Sequence, residues 1–168
     1  MTRSFARLGA LAAMAGGLLR AAASFAPTVI RSDVERKSLY VVVDVCLSVG
    51  LLGFWRSRTE ALGRRGAIGL ALALAGIATV RANPFVSAVD LYPAGALITA
   101  CGVVVLSARA WTVKKMSGWI PLAFVLSTLV GVIGSVVKDA SILSVWSGVT
   151  FGAAFAGLGL QTWIASNA

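Results

Sequence analysis

An all-helical bundle of six membrane-spanning segments, arranged as three tandem helical hairpins, is the fold class the sequence predicts. Two observations carry that expectation. Hydrophobic residues make up 58% of the 168 residues and charged ones only 12%, against about 25% charged in ordinary soluble domains. Six apolar stretches separated by short charged loops fill nearly the whole chain. Residues Leu91–Ser107, Trp119–Val137 and Ile142–Ala165 carry no charge at all, and the hydrocarbon core of a bilayer needs roughly 20 mostly apolar residues per helix. In lipid, a helix also satisfies its own backbone hydrogen bonds.

Taken in order, the spans are expected near Leu8–Pro27, Leu39–Trp55, Gly66–Val80, Leu91–Ala108, Trp119–Val137 and Ile142–Ala165. The first is ambiguous, because a basic start, an apolar core and an Ala-rich stretch ending near Ala23 also resemble a secretory signal peptide; Arg20, just before that point, argues against cleavage. Pro93 and Pro121 fall in the first turns of their helices, where the missing N–H would be unpaired anyway. Asp90 and Tyr92 open the fourth span. An acidic group stabilises a helix N-terminus there, and Tyr marks the interface. Gln161 and Thr162, near the end of the sixth span, are expected at the opposite interface.

The net charge of +9, from 15 Lys and Arg against 6 acidic residues, would suggest nucleic acid in a soluble protein. Most of these bases instead flank apolar runs, where they set topology and meet anionic head groups. Membrane lipids, not nucleic acid, are the expected partners. With the N-terminus cytoplasmic, Arg3, Arg7, Arg56, Arg58, Arg64, Arg65, Arg109, Lys114 and Lys115 lie inside, and Arg20, Arg31, Arg36, Lys37, Arg81 and Lys138 outside. Both termini are therefore expected in the cytoplasm, in a bacterial inner membrane.

Residues 1–168 read as one integral membrane domain of three units, roughly 5–58, 64–113 and 117–166. Gly16, Gly76 and Gly131 come late in the first helix of each unit, each followed by a base: Arg20, Arg81 and Lys138. Trp55, Trp111 and Trp163 close the second helices, and Phe25 and Phe85 stand at matching distances from their glycines, with Ala140 in the third unit. The second unit, AGIATVRANPFVS at 75–87 and LYPAGALITACGVVVLSARAW at 91–111, resembles the hairpin unit of the HdeD family of small bacterial membrane proteins. The likeness covers about one third of the chain well. The first unit has Phe25-Ala-Pro27 in place of Pro-Phe, and the third has Lys138-Asp139-Ala140 without proline. The resemblance implies six helices in three hairpins and a link to acid and stress resistance; the family carries no established catalytic residues, so it implies no mechanism.

No catalytic, cofactor-binding or metal site is expected. His is absent, which removes the commonest proton shuttle and metal ligand. Cys46 and Cys101 lie in apolar runs without ligand spacing and read as buried thiols. Small residues recur at four-residue spacing as Gly148, Gly152 and Ala156 in the sixth span and as Ser127, Gly131 and Ser135 in the fifth. Such faces let backbones approach closely, within the chain or, on the sixth helix, against a second copy. In the second case Trp146, Phe151 and Phe155 would face lipid or the neighbour.

Chemistry, if any, belongs to charges inside apolar runs. Asp44 lies about 16 Å from Trp55 along a helix, and Arg20 about 20 Å from Arg7, which puts both at similar depth. An ion pair between Arg20 and Asp44 is expected. It would lock the first hairpin; alternatively Asp44, with Arg20, Arg81 and Lys138, would line a polar vestibule at the outer face. Three function classes follow: a non-catalytic structural or stress-response membrane protein, a small channel or transporter built on that vestibule, and an embedded enzyme acting on lipid or quinone.

Overall fold

The computed structural model describes residues 2–30, 32–85, 90–137 and 141–167. Among them lie six long helices, each long and apolar enough to cross a membrane. In chain order the helices are α1 (Thr2–Ala23), the short α2 (Ala26–Val29), α3 (Asp33–Arg56), α4 (Thr59–Ala82), α5 (Tyr92–Thr112), α6 (Trp119–Val136) and α7 (Ser141–Asn167), with a single 3-10 turn at Asn83–Phe85. The protein is a multi-pass membrane protein. Its large exposed apolar residues fit that environment: on α6, Leu122, Val125, Leu126, Leu129, Val132, Ile133 and Val136 are all exposed, a lipid-facing surface and not a soluble one.

Consecutive spans pair as hairpins, α1 with α3, α4 with α5 and α6 with α7. The circle closes because α1 also packs extensively on α7, while α3 meets α4, and α5 meets α6, along much thinner seams. Helices in lipid gain little from hydrophobic transfer, so close backbone approach between small residues holds them together. Gly9 of α1 and Gly53 of α3 show how close: a Cβ on Gly9 would sit 2.5 Å from the Gly53 Cα. Within the second hairpin, Gly69 and Gly76 of α4 meet Gly102 and Gly95 of α5 in the same manner. In the third, the Ser127 and Ser147 hydroxyls each donate to the other residue's carbonyl oxygen, both at 2.8 Å.

The small-residue stripe of α7 is taken up by α1 of the same chain. Gly152 lies against Gly17 and Ala21, Gly148 against Ser24, and a Cβ on Gly17 would be 2.5 Å from the Ala156 backbone nitrogen. That face is filled from within, leaving no room there for a second copy. Phe155 is correspondingly not a lipid-facing residue: it is fully buried, with Phe124 and Phe151 at ring-centroid distances of 5.3 and 5.2 Å. Trp146 does face outward. The core gathers Leu47, Leu51 and Phe54 from α3, Leu62 and Leu70 from α4, Leu106 from α5, Ile120 and Phe124 from α6, and Phe155 and Leu158 from α7. It is thickest toward the end of the bundle that carries both chain termini.

Helix ends differ from the sequence expectation in instructive ways. α3 begins six residues earlier than the expected Leu39 because Ser32 caps it, accepting from the Glu35 backbone N–H at 3.4 Å, and because Asp33 and Glu35 favour a helix N-terminus. α4 begins before the expected Gly66 but is broken at Gly63, whose φ of 56° and ψ of −157° fall in a region open essentially to glycine alone. The Leu62 carbonyl freed near this break accepts from Arg109 Nε of α5 at 3.3 Å. α5 ends in a turn where the Lys115 N–H reaches the Ala110 carbonyl at 2.9 Å with Lys114 at φ 55°, a left-handed helix stop usually filled by glycine. Asp90 accepts from the Tyr92 N–H at 3.0 Å at the start of α5. The two thiols are free, Cys46 half-buried and Cys101 exposed. Cys101 was expected to be buried, but the face of α5 that packs inward is the one carrying Thr99, Gly102, Val103 and Leu106.

Candidate functional site

The charged residues inside the spans are arranged otherwise than helix depth alone suggests. Asp44 is paired not with Arg20 but with Arg81, the basic residue in the last turn of α4, at 2.6 Å between Oδ2 and Nε. The contact is out of line for a hydrogen bond. Depth within a hairpin was the wrong guide because the carboxylate sits at the seam between the first and second hairpins, where α4 brings a long side chain down from its own end. Arg20 acts on Asp44 only at longer range. Its guanidinium carbon lies 3.6 Å from where a Cβ on Gly148 of α7 would be, at ordinary contact distance from that helix. The fourth residue of the expected vestibule, Lys138, lies outside the described residues.

Asp44 and Arg81 open sideways, toward the lipid, into a cleft of about 240 Å³ between α3 and α4 lined also by Val41, Val45, Ser48, Val49 and Ile77. The side chains are 19% and 36% exposed respectively. Among the described residues, no protein acceptor takes the Arg81 terminal amino groups and no protein donor meets the other Asp44 oxygen with hydrogen-bond geometry. Asp44 and Arg81 were both legible as candidates from their places in apolar runs; their partnership was not, because it depends on how two hairpins dock.

A second charged cluster, at the opposite end, was not anticipated. Arg58, in the turn between α3 and α4, is 9% exposed. Its guanidinium lies 4.6 Å from the Phe54 ring centroid and donates to the Ser57 hydroxyl at 2.9 Å, the Gln161 carbonyl at 3.3 Å and the Thr162 hydroxyl at 3.4 Å. Burial lowers its pKa from the usual arginine value. Thr162 is only 1% exposed, so it belongs to this buried contact and not to the interface expected for it. Gln161 Oε1 accepts the Ser117 N–H from the α5–α6 loop at 3.0 Å. The signal that was available is the loop's brevity: with only Ser57 and Arg58 between two helices, the arginine has little freedom to reach solvent. The buried indole N–H of Trp55 beside this turn has no acceptor among the described residues.

No group of His, Cys, Asp and Glu side chains that could hold a metal ion occurs among the described residues. The arrangement therefore offers two kinds of polar chemistry: a sealed arginine clamp at one end and a half-open acid–base pair at the other. Compared with protein-family models, with curated proteins and with solved structures, the chain finds no match in any of the three.

Proposed function

We propose that this is a non-catalytic integral membrane protein with a structural or stress-response role in a bacterial inner membrane, both termini cytoplasmic, of the HdeD-like three-hairpin type. The observation that carries this reading is where its polar groups go. Arg58 bridges the α3–α4 turn to α7, Arg109 holds the Leu62 carbonyl, and Asp44 meets Arg81 across a hairpin seam, so each is used between helices. The bundle's interior is occupied by Phe54, Phe124, Phe155 and their aliphatic neighbours. Such an interior supports a scaffold more than a water-filled path, which would need polar lining side chains.

The test is a flux assay on the purified chain reconstituted into liposomes loaded with a pH-sensitive or a halide-sensitive dye. The expected result is proton and anion leakage indistinguishable from protein-free vesicles, unchanged by Asp44→Asn. Conduction that Asp44→Asn abolishes would replace the structural reading with the channel one. Orientation is read separately, by labelling single cysteines placed at Ser4 and Ser166 from either side of intact cells, with Cys46 and Cys101 replaced.

A further inference from the structure

We infer that the cleft between α3 and α4 is a binding site for one phospholipid bearing a primary amine, its phosphate on Arg81 and its ammonium on Asp44. The inference rests on the protein's being a membrane protein and deepens the reading above, but does not depend on the absence of transport. Three features of the cleft select this occupant. First, depth: Asp44 lies seven residues from Lys37, about 10 Å along α3, and Arg81 is in the last turn of α4. The pair thus lies within the hydrocarbon region, about 10 Å inward of the basic start of α3 and on the side of the bundle away from the termini. Second, shape: the cleft opens laterally, and Val41 and Val45, both exposed, continue it with Val49 as an apolar wall along which an acyl chain can lie.

The third feature is charge, and it discriminates among lipids. A lone arginine would favour any anionic head group. Here, among the described residues, no protein acceptor takes the terminal N–H donors of the guanidinium and no protein donor takes the second oxygen of the neighbouring carboxylate, and the two groups lie in contact. A head group carrying both a phosphate and an N–H-donating ammonium complements both. Phosphate pairs well with the fixed fork of a guanidinium. A primary ammonium can donate to the carboxylate, whereas the quaternary ammonium of phosphatidylcholine has no N–H to give. Phosphatidylglycerol, with no cation, would leave Asp44 facing an anion. Closing both ends of the pair also relieves the cost of leaving charged groups incompletely satisfied at membrane depth.

The experiment is native mass spectrometry of the full chain released from detergent micelles, titrated with phosphatidylethanolamine, phosphatidylcholine and phosphatidylglycerol of identical acyl chains. The wild type should retain one phosphatidylethanolamine about tenfold more tightly than phosphatidylcholine, the effect of one good charge-assisted hydrogen bond. Arg81→Gln should lose retention of all three lipids. Asp44→Asn should keep a bound lipid but lose the preference for the amine and shift toward phosphatidylglycerol, a reversal that mere loss of folding does not produce. Val45→Trp, which leaves both charges in place and fills the cleft, should also abolish retention. Equal affinity for the three lipids in the wild type, or a preference that survives both Asp44→Asn and Val45→Trp, would overturn the proposal. Flux in the liposome assay with amine-selective binding retained would remove the structural reading and leave this site standing; silence in both assays would do the opposite.

Discussion

The seam between α1 and α7 and the seam between α3 and α4 join hairpins by opposite means. At the first, Gly17, Gly152 and Gly159 bring backbones into direct contact over much of the helix length, with no ion pair among the described residues. At the second, contact is thin, and the charged contact across it is Asp44–Arg81 near one end, with a cleft beside it, while Arg58 at the other end ties the α3–α4 turn to α7. The lesson is that close packing leaves no surface for a ligand, while a thin seam crossed by a charged pair leaves one open. The first and third hairpins share the closely packed seam, and the second joins them along the two thin ones.

The sharpest way to break this contrast is to wedge the tight seam. Gly152→Leu should cost about 3 kcal/mol or more, because neither backbone can move without unpacking others, and the loss should appear as a large fall in the unfolding midpoint in detergent. Next in size, Arg58→Met should cost about 2 kcal/mol. It removes hydrogen bonds from a charged donor and a buried cation–π contact, and by loosening the second hairpin it should speed protease cleavage in the 57–65 segment. The Asp44–Arg81 pair should matter less to stability, since it is part-exposed and its geometry is poor: a double-mutant cycle of Asp44→Asn and Arg81→Gln should give a coupling of about 1 kcal/mol or less. A coupling as large as the Gly152→Leu loss would mean that the second seam is a lock and not a site. Smallest of all, Lys114→Gly should raise stability by up to about 1 kcal/mol, by removing a side chain from a left-handed backbone conformation, with no effect on either seam.

Sequence reasoning found the six spans because each is a long local pattern. The glycine stripes were equally local, so Gly148, Gly152 and Ala156 could be marked as a packing face. Which helix would cover that face was not local: α1, at the other end of the chain, does so. The same limit produced the mistaken Arg20–Asp44 pair. Depth along a helix is readable from residue number, but the angular position of a side chain and the order in which hairpins dock are not. Arg58 was taken only as a topogenic charge because a loop arginine is ordinarily solvated; its burial follows from the shortness of the turn and the position of α7, the second of which no nearby residue announces. The break at Gly63 had a signal, a glycine before two arginines, but nothing in that pattern distinguishes a helix start from an interruption.

That interruption also sets a length. Unbroken, the 24 residues of α4 would make a rod of about 36 Å at 1.5 Å per residue, overshooting a hydrocarbon core of about 30 Å. Turning the chain at Gly63 leaves Arg64 to Ala82 as the straight portion, about 28 Å by the same rise. The glycine thus acts as a gauge: it fits the fourth helix to the thickness of the bilayer and holds Arg64 and Arg65 at its edge, where a thicker membrane would have to thin, or the helix lose its tilt, to keep them in water.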